Sequence, residues 1–203
     1  MKFQFFFISP NSMEYNVSIF TLIVQLFVVI LMFYKYGYDF FYPRQVIGIA
    51  YIDTPTIKGT VHFYENLTSN TVLVDINLSG LPPSSKLGFH IHEAGDLSDG
   101  CKSACAHFNP YNTTHGGKDS TVRHVGDLGN ITTDAKGVCK TKFEDHMIKL
   151  RGEDLSIIGR SIVIHEKTDD LGKGGDTESL KTGNAGKRIA CAVIGYSKKM
   201  CKA

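Results

Sequence analysis

From residue 45 onward the apolar residues recur at every second position or in short β-branched runs, and no stretch carries the spacing of an amphipathic helix. Residues 71–78 are the clearest case. Thr-Val-Leu-Val-Asp-Ile-Asn-Leu alternates throughout, so one face is buried and the other wet. Residues 45–52, 58–64, 88–93, 140–144, 156–165 and 188–195 read as further strands. Turn chemistry falls between them around Asp53–Thr56, at Ser79–Pro83 and at Asp134–Gly137. Two stretches obey neither period, residues 94–123 and 166–187. Unstructured loops this long inside a compact domain are usually functional or disordered. About eight short strands with two long loops predict an all-β fold, an antiparallel sandwich or barrel.

Charge divides the chain in two. Residues 1–44 carry only Lys2, Glu14, Lys35, Asp39 and Arg44, whereas residues 45–203 hold all eight His and all five Cys. Tyr15–Tyr34 is a run of 20 uncharged residues. As a helix it would extend about 30 Å, the thickness of a bilayer's hydrocarbon core. Residues 1–44 are therefore expected to form a hydrophobic helix serving as a signal-anchor, with membrane contact through residues 15–34. The domain over 45–203 would then lie in a lumenal, extracellular or surface compartment. The residues after Leu31 offer no Ala-x-Ala-like site, which argues against a cleaved secretory signal. Secretion after cleavage and a cytosolic domain behind an unstructured extension are the alternatives. A net charge of +2 without a Lys/Arg block argues against a nucleic-acid partner.

The histidines carry the chemistry. His90 and His92 sit at i and i+2 of a predicted strand and so share a face, where two imidazoles can chelate one transition metal. His107, His115 and His124 lie in or at the end of the first long stretch, with Asp127 three residues on, and His165 ends an apolar run. Six imidazoles and a carboxylate around two loops point to zinc or copper rather than to magnesium or calcium. His62 and His146 lack such a pattern and are expected to be ordinary surface or structural residues.

The motifs Phe89-His90-Ile91-His92-Glu93, Gly100-Cys101, His107-Phe108-Asn109-Pro110, His115-Gly116-Gly117 and Arg123-His124-Val125-Gly126-Asp127 resemble the copper/zinc superoxide dismutases. So do Val163-Ile164-His165-Glu166-Lys167, Asp169–Gly175 and Lys181–Arg188, in the same order, and the likeness spans essentially all of 45–203. It implies an eight-stranded Greek-key barrel that converts superoxide to oxygen and hydrogen peroxide. It implies one copper per subunit on His90, His92, His107 and His165, and one Zn²⁺ per subunit on His107, His115, His124 and Asp127. His107 would bridge the metals as an imidazolate. Arg188 is implied beside the copper, Asp169 as the carboxylate behind the ligands, and Glu178 and Lys181 as electrostatic guides for the anion. Cys101 and Cys191 are implied as the intrasubunit disulfide, which leaves Cys105, Cys139 and Cys201 without family partners. Cys105-Ala106 stands where the family usually has Gly-Pro. A homodimer is implied through Gly95, Ile158 and Ile194-Gly195, although Ala94 replaces a larger apolar residue. A copper chaperone is a candidate partner.

Overall fold

The computed structural model describes residues 19–32, 46–152 and 154–200. The chain divides into two units, residues 1–44 and 45–203. The described part of the first is one helix, α1 (Ile19–Met32), whose large apolar side chains from Leu22 to Met32 are exposed. At 1.5 Å per residue its 14 residues extend about 21 Å. No described helix is long and apolar enough to cross a membrane. The expected span over 15–34 is therefore not supported, and residues 15–18 and 33–34 lie outside the described residues.

The described residues of the second unit form nine strands: β1 (Ile47–Asp53), β2 (Lys58–Asn66), β3 (Thr71–Ser79), β4 (Lys86–His92), β5 (Ser98–Cys101), β6 (Asp127–Thr132), β7 (Cys139–Asp145), β8 (Ser161–His165) and β9 (Arg188–Tyr196). Eight of them form one sheet in the order β6-β4-β8-β9-β1-β2-β3-β7, antiparallel throughout. The edge strands β6 and β7 are consecutive in the chain. Their link turns at Asp134, whose Oδ1 accepts the N–H groups of Lys136 (2.8 Å) and Val138 (2.9 Å). The two edges are thereby brought together and the sheet nearly closes into a barrel. Alternation fills the interior: Ala50 and Ile52 from β1, Val61 and Phe63 from β2, Val74 and Ile76 from β3 are all buried.

Strands β5 and β6 and the start of β8 differ from the sequence reading, and β5 lies inside the stretch over 94–123 that obeys neither period. Strand β6 was not expected, because Asp-Leu-Gly-Asn-Ile-Thr is buried at four of its six positions with no clean alternation. Residues 156–160 are not strand, because the chain turns there: Arg160 N–H donates to Ile157 O (3.1 Å) and Gly159 adopts φ 83°.

Strand β4 positions the chemistry. Leu87, Phe89 and Ile91 enter the core, while His90 and His92 occupy the opposite face and are also buried. That outer face is covered by the segment after β8. Gly88 N–H donates to Lys167 O (2.8 Å), and a Cβ on Gly88 would stand only 2.8 Å from Ala185 Cβ. The absence of a side chain at 88 lets the second loop lie directly on the histidine face.

Candidate metal centre

His90, His92, His107 and His165 bring one ring nitrogen each to within 4.8 Å of one another, and all four residues are buried. His107, His115, His124 and Asp127 form a second such group, sharing His107 with the first. All seven residues singled out in the sequence thus converge in two adjoining clusters. His62 and His146 belong to neither, and His62 stacks on Tyr64 with ring centroids 5.9 Å apart.

The hydrogen bonds fix the tautomers. His92 Nδ1 donates to Cys105 O (2.8 Å) and His165 Nδ1 to Gly186 O (3.1 Å). A carbonyl only accepts, so both Nδ1 atoms carry hydrogen and both Nε2 atoms present lone pairs in the neutral rings. Those two Nε2 atoms face each other at 3.4 Å. His90 Nε2 donates to Asp169 Oδ2 (2.8 Å), leaving its buried Nδ1 without a partner. His107 Nε2 is likewise buried and unpartnered. Lone pairs aimed at one another in a dry site are repulsive unless a cation lies among them. Burial also holds these rings neutral. It lowers His90 to about 3, His92 to about 2 and His165 to about 4, the nearby His107 ring adding to the effect in each case. An all-imidazole site of this kind fits copper.

In the second cluster Asp127 Oδ1 lies 2.9 Å from His107 Nδ1, 3.0 Å from His115 Nδ1 and 3.1 Å from His124 Nδ1. Zn–N bonds of about 2.0–2.1 Å set tetrahedral edges of roughly 3.3 Å, so these separations suit one zinc ion. The His115 contact is off the line of a hydrogen bond, and its Nδ1 is the third buried nitrogen without a partner. Asp127 Oδ2 is occupied elsewhere, accepting the N–H groups of Gly116 (3.0 Å) and His124 (2.8 Å). Burial would raise the Asp127 carboxyl, but the three histidines outweigh it and hold the group well below the usual carboxylate range.

Asp169 joins the clusters from behind. Its Oδ1 accepts from His115 Nε2 and its Oδ2 from His90 Nε2, each at 2.8 Å. Burial raises the Asp169 carboxyl less than these two bonds lower it, and it falls to about 2. Burial also opposes charge on His115, yet the Asp127 and Asp169 carboxylates on either side of it carry that ring up to about 9. Asp169 is fixed by Asn130, whose Oδ1 accepts the Asp169 N–H (2.8 Å) and whose Nδ2 donates to Asp169 O (2.9 Å). Beside the carboxylate is Gly183, at φ 65°. A Cβ there would lie 1.9 Å from Asp169 Oδ1 and 2.5 Å from His115 Nε2.

The pairing of β8 with β9 sets Arg188 opposite His165 at a register shift. The guanidinium is held by carbonyls: Nη1 donates to Cys101 O (2.7 Å) and Nη2 to Cys105 O (2.6 Å). The Cys101–Cys191 disulfide ties that carbonyl-bearing segment to β9 itself. A cleft of about 860 Å³ opens onto His92, His107 and His165. Arg188, Lys181 and Glu178 line it, and so do Lys102 and Lys167. Lys167 could have been found from its place two residues past His165. Lys102 gave no signal, because nothing in the sequence says which face of the first loop meets the cleft. Asn130 was missed because its role is a backbone clamp across 39 residues.

Residues 57–194 match the family model for copper/zinc superoxide dismutase. The chain belongs to that family. It is 62% identical over 156 residues to a Cu-Zn superoxide dismutase of Paramecium bursaria Chlorella virus 1, covering 77% of this chain and 81% of that one. It is 55% identical over 141 residues to the Neurospora crassa enzyme, covering 70% of this chain and 91% of the relative. It is 51% identical over 150 residues to an extracellular Cu-Zn superoxide dismutase of Drosophila melanogaster, covering 74% of this chain and 82% of the relative. Among solved structures, the crystal structure of the clock protein EA4 superposes with a TM-score of 0.72 at 45% identity, covering 75% of this chain and 96% of that one. The dismutase is an oxidoreductase whose substrate is superoxide. Membership implies one copper and one zinc per subunit, and the donor sets of the two clusters fit those ions.

Proposed function

We propose that the dismutase works through a copper on His90, His92, His107 and His165 coupled to a zinc on His107, His115, His124 and Asp127, with the His107 ring as an imidazolate between them. The observation that carries this reading is His107 itself. Its Nδ1 belongs to the Asp127 cluster and its Nε2, buried and without a hydrogen bond, to the all-histidine cluster. Copper, when bound, supplies one-electron oxidation and reduction, and zinc supplies fixed charge.

The chain's own groups do the rest. Arg188 presents a permanently charged fork at the cleft and positions the superoxide anion beside His165. Lys102, Lys167 and Lys181 face one carboxylate, Glu178, so the cleft wall attracts an anion. His107 Nε2 would be the atom that takes up a proton from solvent and passes it to reduced superoxide, while Nδ1 remains directed at the Asp127 cluster. Asp169 keeps hydrogen on the Nε2 atoms of His90 and His115, so that both Nδ1 lone pairs stay directed inward.

The bridge is tested by loading Cu(II) into both sites. A shared imidazolate predicts magnetic coupling of the two ions by electron paramagnetic resonance. Two independent Cu(II) signals in the unaltered protein would refute it. Loss of dismutation in His165→Ala, with zinc retained, tests the copper assignment.

A homodimer is supported by apolar side chains left exposed on β1 and β9, Tyr51 (63%) and Val193 (42%). Ile194, expected at the interface, is fully buried instead, because alternation along β9 turns it inward and Val193 outward. Val193→Asp should yield monomers by sedimentation. Membrane attachment through residues 15–34 rests on the uncharged run alone, and the extracellular Drosophila relative supports a secreted form as well. Carbonate extraction and protease protection of the expressed full chain separate anchored, secreted and cytosolic protein.

A further inference from the structure

Cys105 is exposed and lies outside the disulfide, whereas Cys139, the other free cysteine among the described residues, is fully buried. Cys105 lines the cleft together with His92, His107 and His165. It holds φ 64° and ψ −153°, a conformation that glycine adopts freely and a residue with a Cβ adopts at a cost. Its carbonyl is bonded to both His92 Nδ1 and Arg188 Nη2, so its backbone is tied to the cluster at the cleft floor. That cluster contains two buried, unpartnered nitrogens, His90 Nδ1 and His107 Nε2.

The cleft poses a problem for its own metal. Lys102, Lys167, Lys181 and Arg188 favour an anion and so repel free Cu⁺ on the way to the histidines. A thiolate is a soft donor that selects Cu(I), and its complex with Cu⁺ carries no net charge.

We propose that Cys105 Sγ is a docking site for Cu(I) at the mouth of the cleft, from which copper passes to His92, His107 and His165. This rests on the copper assignment made above. Docking forms an S–Cu bond and releases the thiol proton to solvent. Transfer exchanges that sulfur for ring nitrogens, returns a proton to the thiol and changes no oxidation state.

The test loads zinc-bound full-length protein, with its disulfide intact, anaerobically with Cu(I) supplied as the acetonitrile complex. Stopped-flow absorbance follows the sulfur-to-Cu(I) charge-transfer band, and final copper occupancy is read after reoxidation by electron paramagnetic resonance. The unaltered chain should show the band rise and then decay. Cys105→Ser and Cys105→Gly should lack it and load on the order of tenfold more slowly to the same final occupancy, whereas Cys201→Ser should keep it. The glycine variant relieves the backbone strain, so slow loading in it is due to the missing sulfur and not to a distorted loop. Equal loading rates, or no transient band in the unaltered chain, would overturn the docking role while leaving the copper site intact. Failure of the unaltered chain to place copper on the histidines would instead overturn the copper assignment, and docking with it.

Discussion

Substituting Gly183 by alanine should strike the zinc site more than the copper site. The added Cβ would meet Asp169 Oδ1 at 1.9 Å and His115 Nε2 at 2.5 Å, both on the zinc side of the carboxylate. Asp169 Oδ2, which holds His90, is not among the close contacts. Two costs arise and can be separated. Holding alanine at φ 65° costs about 1–2 kcal/mol of stability wherever it occurs. Displacing the Asp169–His115 contact removes an outer partner of a ligand, a loss of about 10- to 100-fold in metal affinity. Gly175→Ala is the control: it sits in the same loop at φ 82° with nothing within 4 Å of the added Cβ. Both variants should melt lower in the metal-free state by roughly 2–8 °C. Only Gly183→Ala should weaken zinc in competition with a chromophoric chelator, with copper affinity changed much less. Zinc affinity equal in the two variants would refute the reasoning, and so would a loss confined to copper.

Arg188→Ala should lower dismutation per bound copper by about ten- to a hundredfold, the size of losing charge-assisted hydrogen bonds to an anion, with elemental analysis supplying the metal content to which the rate is normalised. Lys102→Glu should reduce the rate severalfold at low salt and flatten its dependence on ionic strength, which pulse radiolysis would read. The metal-free chain should lose stability as the pH falls from about 6.5 toward 4, seen as a falling urea midpoint. His90, His92 and His165 stay neutral in the fold at about 3, 2 and 4 but protonate near 6.5 once unfolded, so the unfolded state binds more protons across that window. His115, raised to about 9, acts in the opposite sense, and its contribution is complete below 6.5 and lost only as the pH rises through about 9.

Strands facing one core on one side were legible because alternation writes itself into the sequence, as in β3. Strand β6 was not, since it is buried on both faces and its Gly129 lies at φ 79°. All seven donors carried by the family motifs fall into the two clusters. The cleft wall was half visible. Glu178 and Lys181 came with the second loop, but Lys102 reaches the cleft only because Arg188 binds the carbonyls of Cys101 and Lys102, an arrangement of backbone and not of side chains. Asn130 illustrates the same limit, since its amide meets the backbone of Asp169 and leaves no spacing to read.

Why a sheet carries redox chemistry here follows from where rigidity is needed. His90, His92 and His165 stand on paired strands of the barrel, whereas His107, His115 and His124 come from the long loop between β5 and β6. A loop does not hold three donors in place unaided, and four constraints fix it: the Cys101–Cys191 bond, Arg188 on the carbonyls of Cys101, Lys102 and Cys105, Asp127 on its backbone N–H groups, and Asp169 on His115. Two buried nitrogens, His90 Nδ1 and His107 Nε2, nevertheless remain unpaired, and each such group costs about 1–3 kcal/mol in a metal-free chain. The fold therefore holds donors in an arrangement that is unfavourable until cations join them. Metal loading and thermal stability must then rise together, with stabilisation growing by about 1.4 kcal/mol for each tenfold excess of metal over its dissociation constant. A site whose stability did not increase on loading would mean that the lone pairs are not directed where the hydrogen bonds place them.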